Sequence, residues 1–307
     1  MGFDVSARPV ADLLVYAYGA RTLERQPVTA GRTMAARAGA TWVDRAWVGD
    51  ASWGIIGAGF EDQLGFVPRT GIERGQVLVG RHFRPGMVSR WLRDLYAAGG
   101  LTEIRREQGG FDSRYGDYRV LATFQDGSVI ELGGNHNEED LAVPFTVRAK
   151  HGTVVPIGRY AFADRFVAGA TSRSKPFAVE GRLSEGEYYG GRRRLAQIGG
   201  SARLSAHLNG SLSITRDQIQ LPSASSTTHY LTARANVGFS TRQLLNALVQ
   251  YNSETRRWDT NVRFNWIHHP LSDLFVVYTQ GRETPVALDA QRAVHTLTVK
   301  VTRLINF

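Results

Sequence analysis

The chain has 307 residues, no cysteine, and a formal net charge of +9 from 37 lysine and arginine residues against 28 acidic residues. Hydrophobic residues make up 42% of the chain and aromatic residues 10%, so the composition excludes a disordered protein. The absence of cysteine excludes a disulfide scaffold, a cysteine-ligated zinc site, an iron–sulfur cluster and a thiol nucleophile.

The first residues show no targeting signal. The segment from Met1 to Arg8 lacks the apolar core of a signal peptide. No apolar run approaches the roughly 18–20 residues of a membrane helix. We therefore expect either a cytoplasmic protein or a fragment of a longer chain, which a miscalled start would also produce.

Alternation of apolar and polar residues with period two indicates strands along most of the chain. It is visible at residues 118–125 and 202–208 and is clearest in the C-terminal third. Asp126-Gly127 and Asn209-Gly210 are dipeptides typical of type I′ hairpin turns, and residues 270–273 also favour a turn. We predict an all-β single domain over residues 1–307, an antiparallel meander of about 14–17 strands.

The polar faces of two predicted strands hold the candidate ligand-binding residues. In residues 230–240 and 258–266, side chains at every second position are apolar and the intervening ones are polar. Such a polar face suits a water-filled barrel lumen that orders water and binds sugar hydroxyls or anions. The candidates are Arg234, Asn236, Asp259, Asn261, Arg263 and Asn265.

Alternation fits both a soluble β-sandwich and a membrane barrel, and three features favour the barrel. Several runs reach 10–14 residues, whereas soluble strands average about 5–6. Aromatic residues occur near the ends of apolar faces, as in interfacial girdles: Tyr251, Trp258, Trp266 and Tyr278. The last strand alternates and ends in phenylalanine, which resembles the insertion signal of bacterial outer-membrane barrels: Val299, Val301, Ile305 and Phe307.

Two stretches resemble a specific family. Residues 60–69, FEDQLGFVPR, are similar to its FNPEVGFVPR segment, and residues 272–278, SDLFVVY, followed by the closing strand at 299–307, are similar to its ending. This family of unknown function forms a barrel-like region that follows a family-nine carbohydrate-binding module. The resemblance covers most of the chain from Trp53 onward. It implies that this chain is a C-terminal portion without the module, that the barrel is incomplete at the N-terminus, and that glycans are involved.

Other sites have weaker support. His136, Glu138, Glu139 and Asp140 are the best metal-like cluster, although a solvated acidic loop within residues 135–156 explains them better. The same carboxylates would serve a barrel-embedded hydrolase. Residues 192–194 are three arginines that suit a turn, a pore or anionic lipopolysaccharide. The scattered basic residues argue against nucleic acid.

We therefore expect a non-catalytic outer-membrane β-barrel that acts in transport, surface binding or anchoring linked to carbohydrate. Its expected partners are outer-membrane lipid, the barrel-assembly machinery and glycans, without nucleic acid, metal or cofactor. The alternative is a soluble periplasmic carbohydrate-binding β-sandwich, followed by the barrel-embedded hydrolase.

Overall fold

The computed structural model describes residues 1–23, 31–61, 67, 69–84, 86, 89–148, 153–283 and 293–304. These residues form strands joined by turns and loops, and they contain no helix long and apolar enough to cross a membrane. The strands are β1 Gly2–Val10, β2 Leu13–Arg21, β3 Met34–Val43, β4 Trp47–Ile56, β5 Ile72–Phe83, β6 Leu92–Arg106, β7 Phe111–Phe124, β8 Val129–Leu141, β9 Phe145–Arg148, β10 Thr153–Val155, β11 Gly158–Ala170, β12 Phe177–Tyr188, β13 Gly191–Arg203, β14 Leu208–Gln220, β15 Ser225–Ser240, β16 Gln243–Asn252, β17 Arg257–His269, β18 Ser272–Glu283 and β19 Ala293–Thr302.

Seventeen strands form one antiparallel meander, and β9 and β10 form a separate two-stranded hairpin. Each strand pairs with the next in chain order, and β8 pairs with β11 across the inserted hairpin. The predicted fold class and strand number are confirmed. A sandwich needs two sheets packed face to face, which this single main sheet does not provide. Among the described residues, β1 pairs only with β2 and β19 only with β18, so both are edge strands.

The two ends of the sheet differ in the length of their connections. Four pairs of consecutive strands in the main sheet are separated by the longest stretches of sequence, and in each pair the strand ends concerned lie at the same end of the sheet: β2 and β3, β4 and β5, β8 and β11, and β18 and β19. We call this the long-loop end and the opposite one the short-turn end. At the short-turn end, some turns have only two residues, such as Ala11-Asp12 between β1 and β2 and Pro270-Leu271 between β17 and β18.

One of the two predicted hairpin dipeptides forms a turn. Gly127 has φ +85° and lies in the β7–β8 turn, as Asp126-Gly127 predicts. Asn209-Gly210 does not form a turn, because both residues belong to β14 and the chain reverses at residues 204–207. There the hydroxyl of Ser205 accepts a hydrogen bond from the backbone N–H of His207.

Burial is inverted relative to a soluble protein. Successive residues of each strand point to opposite faces, which gives the main sheet one apolar face and one polar face. On the apolar face, Leu183 is 57% exposed and Ile198 60% exposed. On the polar face, Asp217 is 4% exposed and Thr228 is fully buried. Many apolar side chains on one face are therefore exposed, whereas several polar side chains on the other face are shielded.

Aromatic side chains mark the short-turn end of the apolar face. Arg81 lies between two of these rings, with its guanidinium carbon 4.9 Å from the centroid of Trp47 and 4.7 Å from that of Phe83. The members of this row, all exposed, are Trp42, Trp47, Phe83, Phe177, Phe239 and Trp266. Toward the long-loop end, the rings of Tyr251 and Trp258 pack at a tilt of 33°, with centroids 4.6 Å apart. Tyr278 shares the apolar face, but it pairs with Val262 in the middle of β18 rather than near its end.

The buried apolar cluster lies at the long-loop end on the polar face. Val155 of β10, only 1% exposed, contacts Phe162 of β11 and Tyr189 of the β12–β13 turn. The ring of Phe145 in β9 meets Tyr189 edge-on at 5.1 Å between centroids. The β9–β10 hairpin therefore folds onto the polar face. The predicted loop over residues 135–156 begins too early, because residues 135–141 belong to β8.

Candidate ligand-binding site

Three neighbouring strands bring small polar side chains together on the polar face near the short-turn end. The register places Ser201 of β13 beside Ser211 of β14, and Ser211 beside Arg234 of β15. One step away, Ser213 pairs with Thr232. These residues surround a cavity of about 470 Å³. We call it the basin and define it by Arg203, Asn209, Ser211, Ser213, Thr232, Arg234 and Asn236.

The β11–β12 turn adds cations at the rim, and both are neutralised. Arg173 donates to Glu180 Oε2 at 2.7 Å. Lys175 Nζ donates to Asp126 Oδ2 at 2.8 Å, and this bond, with help from Ser128, lowers the pKa of the Asp126 carboxyl below its ordinary value. Each rim cation is therefore paired with a carboxylate, so neither is free to attract a ligand.

The two arginines of the basin itself have different surroundings. Within the described part of the chain, no carboxylate pairs with the guanidinium of Arg203 or Arg234. Arg203 lies opposite Asn209 in the register, and Asn209 Oδ1 accepts a hydrogen bond of 2.8 Å from Asn236 Nδ2. Two uncompensated guanidinium groups beside hydroxyl and amide groups suit an anionic ligand that also carries hydroxyls.

All six predicted lumen residues lie on the polar face, but only Arg234 and Asn236 line the basin. The other four follow one another along β17, two strands away. Three of these side chains are engaged: Asp259 accepts from Arg257 at 2.7 Å, Asn261 donates to Thr279 Oγ1 at 3.0 Å, and Arg263 lies 4.6 Å from the ring centroid of Phe275. Asn265 Oδ1 is buried without a donor among the described residues.

Sequence reasoning missed most of the basin. Arg203, Asn209, Ser211, Ser213 and Thr232 each look like an ordinary polar position of an alternating strand. Their proximity depends on the register of β13, β14 and β15, which the sequence does not give. The available signal was the polar alternation of β14, where every second residue from Asn209 to Asp217 is polar.

The predicted insertion signal is partly described. Val299 and Val301 lie on the apolar face of β19, beside Val276 and Leu274 of β18, and both are exposed. Ile305 and Phe307 lie outside the described residues. The part of the signal that can be placed therefore has the predicted alternation.

The acidic cluster around His136 is divided by strand geometry. Because residues 136–140 are in β8, Glu138 and Glu139 point to opposite faces. Glu138 bonds Arg159 on the apolar side, and Glu139 accepts hydrogen bonds from Tyr115 and Tyr189. The described residues contain no group of three or more histidine or acidic side chains placed to hold a metal ion. Glu138 and Glu139 therefore do not converge on one site.

Comparison with known proteins gives structural likeness only. No protein-family model and no curated protein sequence matches this chain, so the family resemblance remains a prediction. The siderophore receptor PirA from Pseudomonas aeruginosa aligns at a TM-score of 0.46 and 9% identity, covering 97% of this chain and 68% of that one. The ferric enterobactin receptor PfeA from the same organism gives 0.43 and 8% with the same coverages. OmpT of Vibrio cholerae gives 0.35 and 10%, covering 86% of each chain.

Proposed function

We propose that this chain forms a bacterial outer-membrane β-barrel without a catalytic centre, whose polar face lines a lumen that binds small anionic solutes. The inverted burial supports this most directly. Exposed Leu183 and Ile198 need an apolar solvent, whereas the shielded Asp217 and Thr228 need polar neighbours. Lipid outside and water inside satisfy both requirements.

The dimensions and ends of the sheet support the same proposal. Trp258 and Trp266 on the apolar face of β17 are separated by eight residues, about 27 Å along an antiparallel strand. A tilted strand of this length matches an apolar band of roughly 25 Å with aromatic girdles. Outer-membrane barrels have short periplasmic turns and longer extracellular loops, so the short-turn end would face the periplasm.

Paired arginine substitutions on β13 test the membrane barrel. Ile198 and its neighbour Gln197 point to opposite faces of the same strand. After refolding into lipid vesicles, Ile198→Arg should lower the free energy of unfolding by about 2–4 kcal/mol, because it places a charge against lipid near the midplane. Gln197→Arg should change it little. Equal effects, or a wild-type monomer that is folded and soluble in plain buffer, would contradict the proposal.

The basin points to acidic carbohydrates as the class of solute. Arg203 and Arg234 provide positive charge, and Ser211, Ser213 and Thr232 provide hydroxyls that can bond to sugar hydroxyls. The resemblance to a family linked with a carbohydrate-binding module agrees with this choice. Transport and surface binding both follow from such a site, and anchoring of a sugar-binding module is compatible with it.

Calorimetric titration of the refolded protein with tri-galacturonate and with neutral maltotriose tests the basin. We expect binding of the acidic sugar only, and its loss in Arg203→Gln/Arg234→Gln. Arg119→Gln is the matched control, because Arg119 also lies on the polar face but is paired with Asp117 at 3.0 Å. Equal binding of both sugars, or equal loss in the control, would contradict an anion-selective basin.

Val299 and Val301 support a further part of the proposal, recognition of the last strand by the barrel-assembly machinery. Their exposed alternation on an edge strand suits such recognition. Replacing both with serine should reduce insertion in cells more than refolding into detergent. Equal reductions would show a general folding defect instead.

A further inference from the structure

A second cluster of arginines lies on the apolar face, at its border with the long-loop end. On β11, β12 and β13 the register aligns Val167, Leu183 and Ala196 in one apolar row. The next row toward the long-loop end aligns Arg165, Glu185 and Arg194, and continues to Gln218 of β14. Arg216 lies beside Ala196, at the border of the two rows. The side chains on this face therefore change from aliphatic to cationic between two adjacent rows.

Most of the positive charge in this patch is uncompensated. Glu185 Oε1 accepts hydrogen bonds of 2.8 Å from Arg194 and has Arg192 at 3.9 Å. Among the described residues, no carboxylate pairs with Arg165 or Arg216. These two arginines, with Arg194, border an open groove of about 540 Å³ whose other walls include Val167 and Leu183. The groove thus combines cationic groups with an aliphatic surface.

The neighbouring part of the same face is different, because its charges are balanced. Arg114 Nη2 lies 2.7 Å from Glu103 and its Nη1 lies 3.4 Å from Glu138. Arg159 completes this chain with a contact of 3.2 Å to Glu138. Charge pairing along β6, β7, β8 and β11 therefore gives way to unpaired arginines at β11–β14.

We propose that this groove binds a phosphorylated lipid of the outer leaflet. The guanidinium groups of Arg165, Arg194 and Arg216 hold the headgroup phosphates, and an acyl chain lies against Val167 and Leu183. Guanidinium groups match phosphate oxygens in geometry and charge. The inference rests on the proposed membrane barrel, whose orientation places the long-loop end on the cell surface.

The test measures binding of bis-phosphorylated lipid A to the full chain refolded in a zwitterionic detergent, by native mass spectrometry. Arg165→Gln/Arg216→Gln should weaken binding about thirtyfold, from roughly 1 kcal/mol for each arginine near an anionic surface. Arg114→Gln, on the same face but in the balanced part, should leave binding close to the wild-type value. Arg203→Gln/Arg234→Gln should also leave it unchanged, because those residues lie on the polar face.

The ligand arms identify what the groove recognises. Dephosphorylated lipid A should bind about as weakly as the double variant binds intact lipid A. If both lipids bind equally, or if Arg114→Gln weakens binding as much as the double variant does, the groove does not recognise the lipid phosphates. Binding of inorganic phosphate as tightly as lipid A would overturn the acyl-chain contact and the assignment to a lipid. These results leave the barrel intact, whereas a protein that needs no detergent contradicts the proposed function itself.

Discussion

Arg193 and Asp217 form a two-point ion pair between β13 and β14, with Nε to Oδ1 and Nη2 to Oδ2 both at 2.9 Å. The carboxylate is almost fully buried, whereas the arginine side chain retains 40% of its exposure. Such paired geometry on the shielded polar face fixes the orientation of both side chains.

Breaking this pair should destabilise the protein. Asp217→Asn is expected to lower the free energy of unfolding by about 1–3 kcal/mol. In the folded protein the Asp217 carboxylate takes the place of water around the Arg193 guanidinium, and the variant removes its charge. Urea unfolding in lipid vesicles measures the change. Arg192→Met is the matched control, since Arg192 points to the other face and its only ion pair within the described residues is long; its effect should stay below about 0.5 kcal/mol. Similar losses in both variants would contradict a specific role for the pair.

Asp44 predicts a pH dependence of the β3–β4 turn. The indole N–H of Trp42 donates to its carboxylate at 2.8 Å, and the backbone N–H groups of Trp47 and Ala46 also donate to it. These bonds lower the pKa of Asp44 below its ordinary value in the folded state. The stabilisation is therefore present above the unfolded-state pKa of about 3.9 and is lost as the pH falls through the folded-state value.

The measurement compares urea midpoints at about pH 6 and about pH 2 for the wild type and Asp44→Asn. The wild type should lose more stability on acidification than the variant, because the variant has no carboxylate to protonate at this turn. Identical pH profiles would show that the hydrogen bonds to Asp44 contribute nothing measurable.

The β9–β10 hairpin should limit passage along the polar face. Val155→Asp puts a charge into the cluster formed with Phe162 and Tyr189, so we expect the hairpin to detach and single-channel conductance in planar bilayers to rise. Val154→Asp, on the more exposed neighbouring residue, should leave conductance near the wild-type value. Unchanged conductance in Val155→Asp, with the hairpin shown by proteolysis to be released, would exclude this constriction.

The aromatic row should stabilise the protein only in a bilayer. Trp266→Ala is expected to reduce the free energy of unfolding in vesicles by about 1.5–3 kcal/mol, because the indole loses its contact with the interface. Trp266→Tyr should retain most of the stability. A loss for Trp266→Ala that is as large in detergent micelles as in vesicles would indicate ordinary packing rather than an interfacial position.

Strand faces were predictable from sequence wherever the two faces differ in chemistry. Over residues 231–237 of β15 and 261–266 of β17, apolar and polar residues alternate without interruption. All six predicted lumen residues share one face. The turn after β13 was not predictable, because Asn209 uses its side chain to accept a hydrogen bond from Asn236 within the sheet. A local turn signal was thus overridden by a contact with a residue far along the chain.

The basin was only partly predictable for a related reason. Arg234 and Asn236 stand out on their own strand, but their neighbours Arg203 and Ser211 become significant only once three strands are aligned. Asp259 and Arg263 were equally prominent in sequence, yet their side chains are occupied by Arg257 and Phe275. Sequence identifies the face of a residue, whereas register and side-chain pairing decide which residues remain available to a ligand.

The unpaired edges of β1 and β19 have a directional consequence. Each step along the meander reverses the chain, so an odd total of 17 strands leaves these two edges running the same way. Direct hydrogen bonding between them would create a parallel seam in a sheet whose other seams are antiparallel. A single inserted strand that runs opposite to both would instead preserve the alternation. An incoming strand can therefore pair antiparallel with either edge in one direction only, opposite to the shared direction of β1 and β19.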